Sequence, residues 1–221
     1  MTRARLARRP APIESEPDLT ALQKVAVVRA IRWAWHRVVL EWPKIVAEGR
    51  EEEITAKLCD VLGEQTKGGK RRAPGLSQFE TVNRGAKASG ANSRIEYQPD
   101  LTFRPISAPR VRNRNRWGWF VECKIIDEGH SVHLYCEKGV LRYIDGRYAP
   151  RMPSAAMLAY VRNHQKPSES LEPILREKFD SSITKSKMVP HAVASRHDRA
   201  RGTPPCIAIE LIHVWLSASE H

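Results

Sequence analysis

Between Asp18 and Trp42 the apolar residues Leu22, Val25, Ala26, Val28, Ile31, Trp35, Val38 and Val39 recur at helical spacing. That spacing gathers them on one face of an α-helix, which Asp18 or Thr20 can cap and Pro43 can stop. Trp33, Trp35 and Trp42 read as packing residues of this helix rather than as stacking platforms for bases. A second helix is expected from about Arg50 to Glu64, where Ile54, Leu58, Val61 and Leu62 form one face and Gly63, Gly68 and Gly69 mark its end. Glu51, Glu52 and Glu53 fall in its first turn, where the helix dipole favours acids.

The period then shortens. Strands are expected near Gln78 to Asn83, from Arg94 to about Arg104 and from Trp119 to Ile126, and their succession suggests an antiparallel meander. A helical pattern returns from Val132 to about Asp145, followed by an apolar strand from Ala155 to Val161. Ser168 to about Ile183 reads as a helix capped by Ser168 or Ser170, with Leu171, Ile174, Leu175 and Phe179 as its stripe. The polar stretch from Lys185 to Pro205 carries no clear pattern, and the run from Cys206 to Leu216 reads as a last strand or hairpin arm. These elements predict an α/β fold, a mixed central β-sheet flanked by helices with an added N-terminal helix. Residues 1–17 are expected to form a flexible basic arm and residues 18–221 a single domain.

Composition narrows the function classes. No apolar run approaches the roughly 20 residues that cross a bilayer, and the basic start lacks the apolar stretch of a secretory signal, so a cytoplasmic protein is expected. Cys59, Cys123, Cys136 and Cys206 have no paired spacing and read as reduced thiols, and His130 with His133 is too sparse a pair to indicate zinc. The net charge of +12 draws polyanions, nucleic acid first among them. Lys70, Arg71 and Arg72 sit in a Gly-rich loop, and Arg110, Arg112, Arg114 and Arg116 in a stretch without acids, so both clusters are candidate phosphate-backbone contacts. Arg142, Gln98, His191, Arg196 and His197 are weaker candidates, each with an ordinary surface role as the alternative.

Chemistry concentrates on two segments, Tyr97-Gln98-Pro99-Asp100 and Phe120-Val121-Glu122-Cys123-Lys124. On a strand Glu122 and Lys124 project to one face, and Val121, Cys123 and Ile125 to the other. A charged pair flanked by apolar residues needs a partner or a metal to offset its desolvation. If the strand ending in Asp100 pairs with this one, Asp100, Glu122 and the carbonyl of Cys123 offer hard oxygen ligands suited to Mg²⁺. Lys124 could orient or deprotonate water, or neutralise charge on the phosphorane. The plain alternative is that Asp100 ends a turn while Glu122 and Lys124 form an ion pair.

Pro99-Asp100 followed by Glu122-Cys123-Lys124 resembles the signature of the PD-(D/E)XK nuclease superfamily, and the order of elements over about residues 50–161 resembles its restriction-endonuclease-like core. The resemblance implies a Mg²⁺-dependent phosphodiesterase, with Mn²⁺ as a substitute, acting on nucleic acid, DNA above all. It assigns catalysis to Asp100, Glu122 and Lys124 and adds a helix glutamate to the metal set, for which Glu51 is the choice and Glu52 the substitute. Restriction, phage defence and repair in bacteria are settings the resemblance suggests, with protein partners supplying target recognition or with a homo-oligomer. The competing expectation is a non-cleaving nucleic-acid-binding or structural subunit of a larger complex.

Overall fold

A computed structural model describes residues 15–66, 75–80, 83–84, 99–107, 109–111, 114–199 and 208–218. The Gly-rich loop with Lys70, Arg71 and Arg72, and also Gln98, Arg112 and Cys206, lie outside the described residues.

Three helices open the chain: α1 (Ala21–Glu41), α2 (Pro43–Glu48) and α3 (Glu51–Thr66). Thr20 caps α1 through a reciprocal capping box with Gln23, and Pro43 supplies the first position of α2 rather than only ending α1. The segment before α1 is tied down, since Glu16 N–H donates to the Arg151 carbonyl at 2.9 Å and Trp117 Nε1 donates to the Pro17 carbonyl at 2.8 Å. Glu16 and Pro17, expected within the flexible arm, are thus tied to the domain. Residues 1–14 lie outside the described residues.

The described strands form one sheet in the order β1-β2-β3-β4-β7-β6-β5, from β1 (Asn83–Arg84), β2 (Leu101–Phe103), β3 (Trp119–Ile126), β4 (Ser154–Val161), β5 (Ile183–Lys185), β6 (Val193–His197) and β7 (Ile209–Ser217). β1, β2 and β3 are antiparallel neighbours, whereas β3, β4 and β7 run parallel. The chain is thus α/β with a mixed open sheet. Among the described residues, the segment near Gln78 is a 3-10 turn (Leu76–Gln78) with Asn83–Arg84 as strand, and β2 begins after Asp100; residues 94–98 of the strand expected from Arg94 lie outside the described residues.

Helices cover both faces. On one, Trp35 of α1 stacks on Tyr160 with ring centroids 5.3 Å apart, and Thr55 of α3 shares a hydrogen bond with Tyr160 Oη at 3.1 Å. On the other lies a continuous helical run made of α4 (Val132–Tyr135), a π-helical turn (Cys136–Val140) and α5 (Leu141–Ile144). A second π-helical turn (Pro167–Leu171) leads into α6 (Glu172–Phe179), without a side-chain cap from Ser168 or Ser170. This helix stops short of Ile183 because Asp180 turns left-handed at φ 45°, and the chain re-enters the sheet as β5. The unassigned polar stretch holds β6.

A polar chain runs through the buried interior. His213 shares hydrogen bonds with Tyr135 Oη through Nδ1 at 2.8 Å and with Ser195 Oγ through Nε2 at 2.7 Å, and Ser195 Oγ also meets His197 Nε2 at 2.7 Å. Burial, with His197 adding to it, pushes the pKa of His213 down to about 3, and burial pushes that of His197 down to about 4. His197 is therefore an interior residue and not a nucleic-acid contact. Arg199 is buried as well, and its guanidinium donates to the carbonyls of Tyr143, Ala149 and Pro150, which pins the loop after α5.

Two predictions follow from this packing. Gly118, at φ 146°, leads the chain into β3, and a Cβ there would stand 2.9 Å from the Phe103 carbonyl oxygen. Gly118→Ala should cost about 1–3 kcal/mol in urea unfolding, because backbone strain adds to a contact that cannot relax cheaply. The histidines give a pH dependence. Unfolded chains take up protons on both rings below about pH 6.5, while the folded rings resist down to about 4 and 3. Stability from this source is full above pH 6.5 and is lost as pH falls through that window. His213→Asn should flatten the acid limb of a stability-versus-pH curve; an unchanged limb would rule out the buried ring as its origin.

Candidate active site

The site forms where, among the described residues, the sheet stops covering one edge of β3. β2 is three residues long and pairs Leu101 with Val121, so β3 runs on past its partner. Continuing that register by one residue sets Asp100 across from Glu122. The main-chain groups beyond this point still need partners, since an unpaired buried amide is costly. Carboxylates supply them: Asp100 Oδ2 accepts from Cys123 N–H at 2.7 Å, and Glu51 Oε2 accepts from Ile125 N–H at 3.2 Å. Two acids, one from the β2 entry and one from the first turn of α3, are thereby fastened beside Glu122 and Lys124.

Strand alternation sends Glu122 and Lys124 to the face covered by the α4–α5 run, with Met157 and Ala159 as their register partners on β4. Cys123 turns to the other face, toward Tyr160. Glu122 is only 2% exposed. Its Oε1 meets Lys124 Nζ at 2.8 Å and accepts from Arg142 Nη1 at 3.0 Å, while Oε2 has no hydrogen-bond partner among the described residues. Lys124 Nζ also donates to Glu51 Oε1 at 2.8 Å and to the Cys123 carbonyl at 2.6 Å. The ammonium thus joins both glutamates and the main-chain carbonyl between them.

Electrostatics follow from this packing. Burial, reinforced by the negative charge of Asp100, pushes the Glu122 carboxyl up to about 7, against the opposing pull of Lys124 and Arg142. Burial alone would lower Lys124, but Glu122, Glu51 and Asp100 outweigh it and raise its pKa above the ordinary lysine value. Lys124 is therefore an ammonium at neutral pH.

All four acid and base candidates, Asp100, Glu122, Lys124 and Glu51, come together. Glu53 turns back to accept from Arg50 N–H at 2.7 Å. Arg142, a candidate phosphate contact in the sequence, holds Glu122 through Nη1. Its partner Tyr148, whose Oη accepts from Arg142 Nη1 at 2.7 Å and whose ring lies 5.5 Å from the guanidinium, was not foreseen from the sequence. Tyr148 sits in a loop with no periodic pattern, so only the contact reveals it. Arg114 is tied to Glu80 at 2.6 Å and to the carbonyls of Pro105 and Ile106, a bracing role, whereas Arg110 and Arg116 are exposed.

The donor set can be tested against a hard cation. Among the described residues no three His, Cys, Asp or Glu side chains form a metal-holding group. Mg²⁺ needs fewer from a protein, since one or two carboxylates with waters suffice. Asp100, Glu122 and the Cys123 carbonyl meet that requirement, and the buried Glu122 Oε2 is an acceptor with no hydrogen-bond partner among the described residues. The residues present fit a hard divalent cation.

Removing Arg142 should raise the Glu122 pKa further above 7, because one of the cations opposing its protonation is lost. Carbon-13 NMR of glutamate-labelled protein reads this directly, comparing wild type with Arg142→Ala; an unmoved or lowered titration would contradict the assigned contact. No family model matches the chain, and no curated protein or solved structure does.

Proposed function

We propose that this chain is a metal-dependent nuclease of the PD-(D/E)XK type, built on a restriction-endonuclease-like core and hydrolysing phosphodiester bonds, in DNA above all. The observation that carries the proposal is the convergence of Asp100, Glu122, Lys124 and Glu51 at the uncovered edge of β3, with one Glu122 oxygen left unpaired. The succession of α3, the β1–β3 meander, the α4–α5 run and β4 agrees with that core.

In this scheme Asp100, Glu122 and the Cys123 carbonyl hold Mg²⁺ or Mn²⁺, with Glu51 beside them. When bound, the ion polarises a phosphoryl oxygen and lowers the pKa of a water. Lys124 keeps its proton under the influence of its acidic neighbours. With contacts to Glu51 and Glu122, Lys124 would serve as hydrogen-bond donor and counter-charge for the developing phosphorane. Arg142, anchored by Tyr148, fixes the orientation of the Glu122 carboxylate. Exposed Arg110 and Arg116, on the approach to β3, supply charge for the backbone of the substrate.

A basic protein that merely holds nucleic acid needs no buried acid cluster, which is why the cleaving reading is preferred over a binding or structural subunit. The bacterial settings of restriction, phage defence and repair follow from the same proposal. Among the described residues no helix is long and apolar enough to cross a membrane.

Purified protein incubated with plasmid, linear duplex, single-stranded DNA and RNA should cut in Mg²⁺ or Mn²⁺ and not in chelator. Asp100→Ala and Lys124→Ala should each lower the rate at least about 10²-fold, the scale of losing one preorganised charge-stabilising group. Circular dichroism checks that both variants fold. Variants as active as wild type, or a folded wild type inert on every substrate with both metals, would overturn the proposal.

A further inference from the structure

Two strands from the acid cluster, on the same face of the sheet, lies a second polar site. A cavity of about 400 Å³ opens at the carboxyl ends of the parallel strands β4 and β7, walled by Val161, Trp215 and Ser217. Its size falls in the range of small-molecule sites, and its place at parallel strand ends is where open α/β sheets hold ligands.

The chemistry of the walls selects the ligand. Arg32, Lys166 and His191 surround the cavity, and none of its lining residues is Asp or Glu. Arg32 reaches in from α1, with Nη2 donating to the His191 carbonyl at 2.8 Å, so its planar fork is held in place. Such a fork suits phosphate oxygens, and Lys166 adds a point charge at the rim. Lys166 meets Glu169 at 3.4 Å, but both side chains are largely exposed and the contact is weak, so a phosphate can replace it. His191 itself holds a left-handed φ of 57°, a conformation that non-glycine residues adopt where their surroundings demand it.

Phosphate alone leaves part of the site unused. Gln165 lines the cavity with a buried Oε1 that has no hydrogen-bond partner among the described residues. An amide oxygen accepts and cannot donate, so it calls for an N–H or O–H on the ligand. Val161, Pro167 and Trp215 add an apolar wall of the kind that takes a base. His213 belongs to the floor rather than to the binding set, because both its ring nitrogens are already engaged by Tyr135 and Ser195.

We propose that this cavity binds a nucleoside 5′-monophosphate group. Its phosphate lies between Arg32 and Lys166, and a base amine or sugar hydroxyl donates to Gln165. The group can come from a free mononucleotide or from the 5′-phosphorylated end of a strand. This assignment stands apart from the nuclease proposal, since it uses none of the residues of the acid cluster.

Calorimetry on the full chain, with AMP, adenosine and inorganic phosphate as probes, tests it. AMP should bind about tenfold or more tighter than either fragment, and Arg32→Gln should weaken AMP by about tenfold, the scale of one lost charge-assisted hydrogen bond. Lys166→Ala, at an exposed position that tolerates change, should weaken it by a smaller factor. Lys124→Ala should leave it untouched, which separates this cavity from the acid cluster. Competition by a 5′-phosphorylated oligonucleotide, and not by its 5′-hydroxyl form, identifies a strand end as a source; failure of both to compete identifies the free nucleotide. Absence of AMP binding at millimolar concentration, phosphate binding as tightly as AMP, or AMP affinity unchanged in both Arg32→Gln and Lys166→Ala would overturn the proposal.

Discussion

Glu122 buries a carboxyl on a strand of the mixed sheet, and much of the surrounding structure answers to that one act. An acid taken out of water is costly unless charge and hydrogen bonds replace the solvent. Lys124 and Arg142 both address its Oε1. Yet the same corner also gathers Asp100 and Glu51, because β2 ends early and the amides of Cys123 and Ile125 must be satisfied by something. Three carboxylates then face two cations. Burial raises the pKa of Glu122 and the charge of Asp100 adds to it, against the opposing pull of Lys124 and Arg142.

The acid cluster was largely legible in the chain because it rests on short-range geometry. Alternation on β3 is enough to send Glu122 and Lys124 one way and Cys123 the other. Helical spacing from Ile54 and Leu58 is enough to aim Glu51 inward, ahead of Glu52 and Glu53. What could not be read was the reason these groups meet. Asp100 and Glu51 act as main-chain acceptors for amides of β3 that β2 leaves unpaired among the described residues, a fact of three-dimensional pairing. Tyr148 and Arg199 were hidden for a related reason: each acts through partners supplied by packing, and neither sits in a periodic element. Likewise the polar residues from Lys185 onward conceal β6, whose inward positions are Ala194, Ser195 and His197 rather than a run of large apolar side chains. Element ends fared worst where the backbone conformation of one residue decides them, as Asp180 does for α6.

One helical run ties the two polar sites of the sheet together. Tyr135 near its start reaches β7 through His213, and Arg142 near its end reaches β3 through Glu122. Between them the π-helical turn places Gly139 directly against Met157 and the stem of Lys124, so close that a Cβ would stand 2.2 Å from Met157 Cε. The widened turn and the missing side chain let the run lie low on the sheet, which is what brings a guanidinium within reach of a buried strand carboxylate. π-Turns occur often at functional sites for this kind of reason, since they re-aim side chains without ending the helix. The position of Arg142 is therefore set from two sides, by the tight seat of Gly139 on β4 and by the Tyr148 loop that Arg199 pins. Rigid support of that kind is what a charged group needs to hold its geometry beside an acid with an unpaired oxygen.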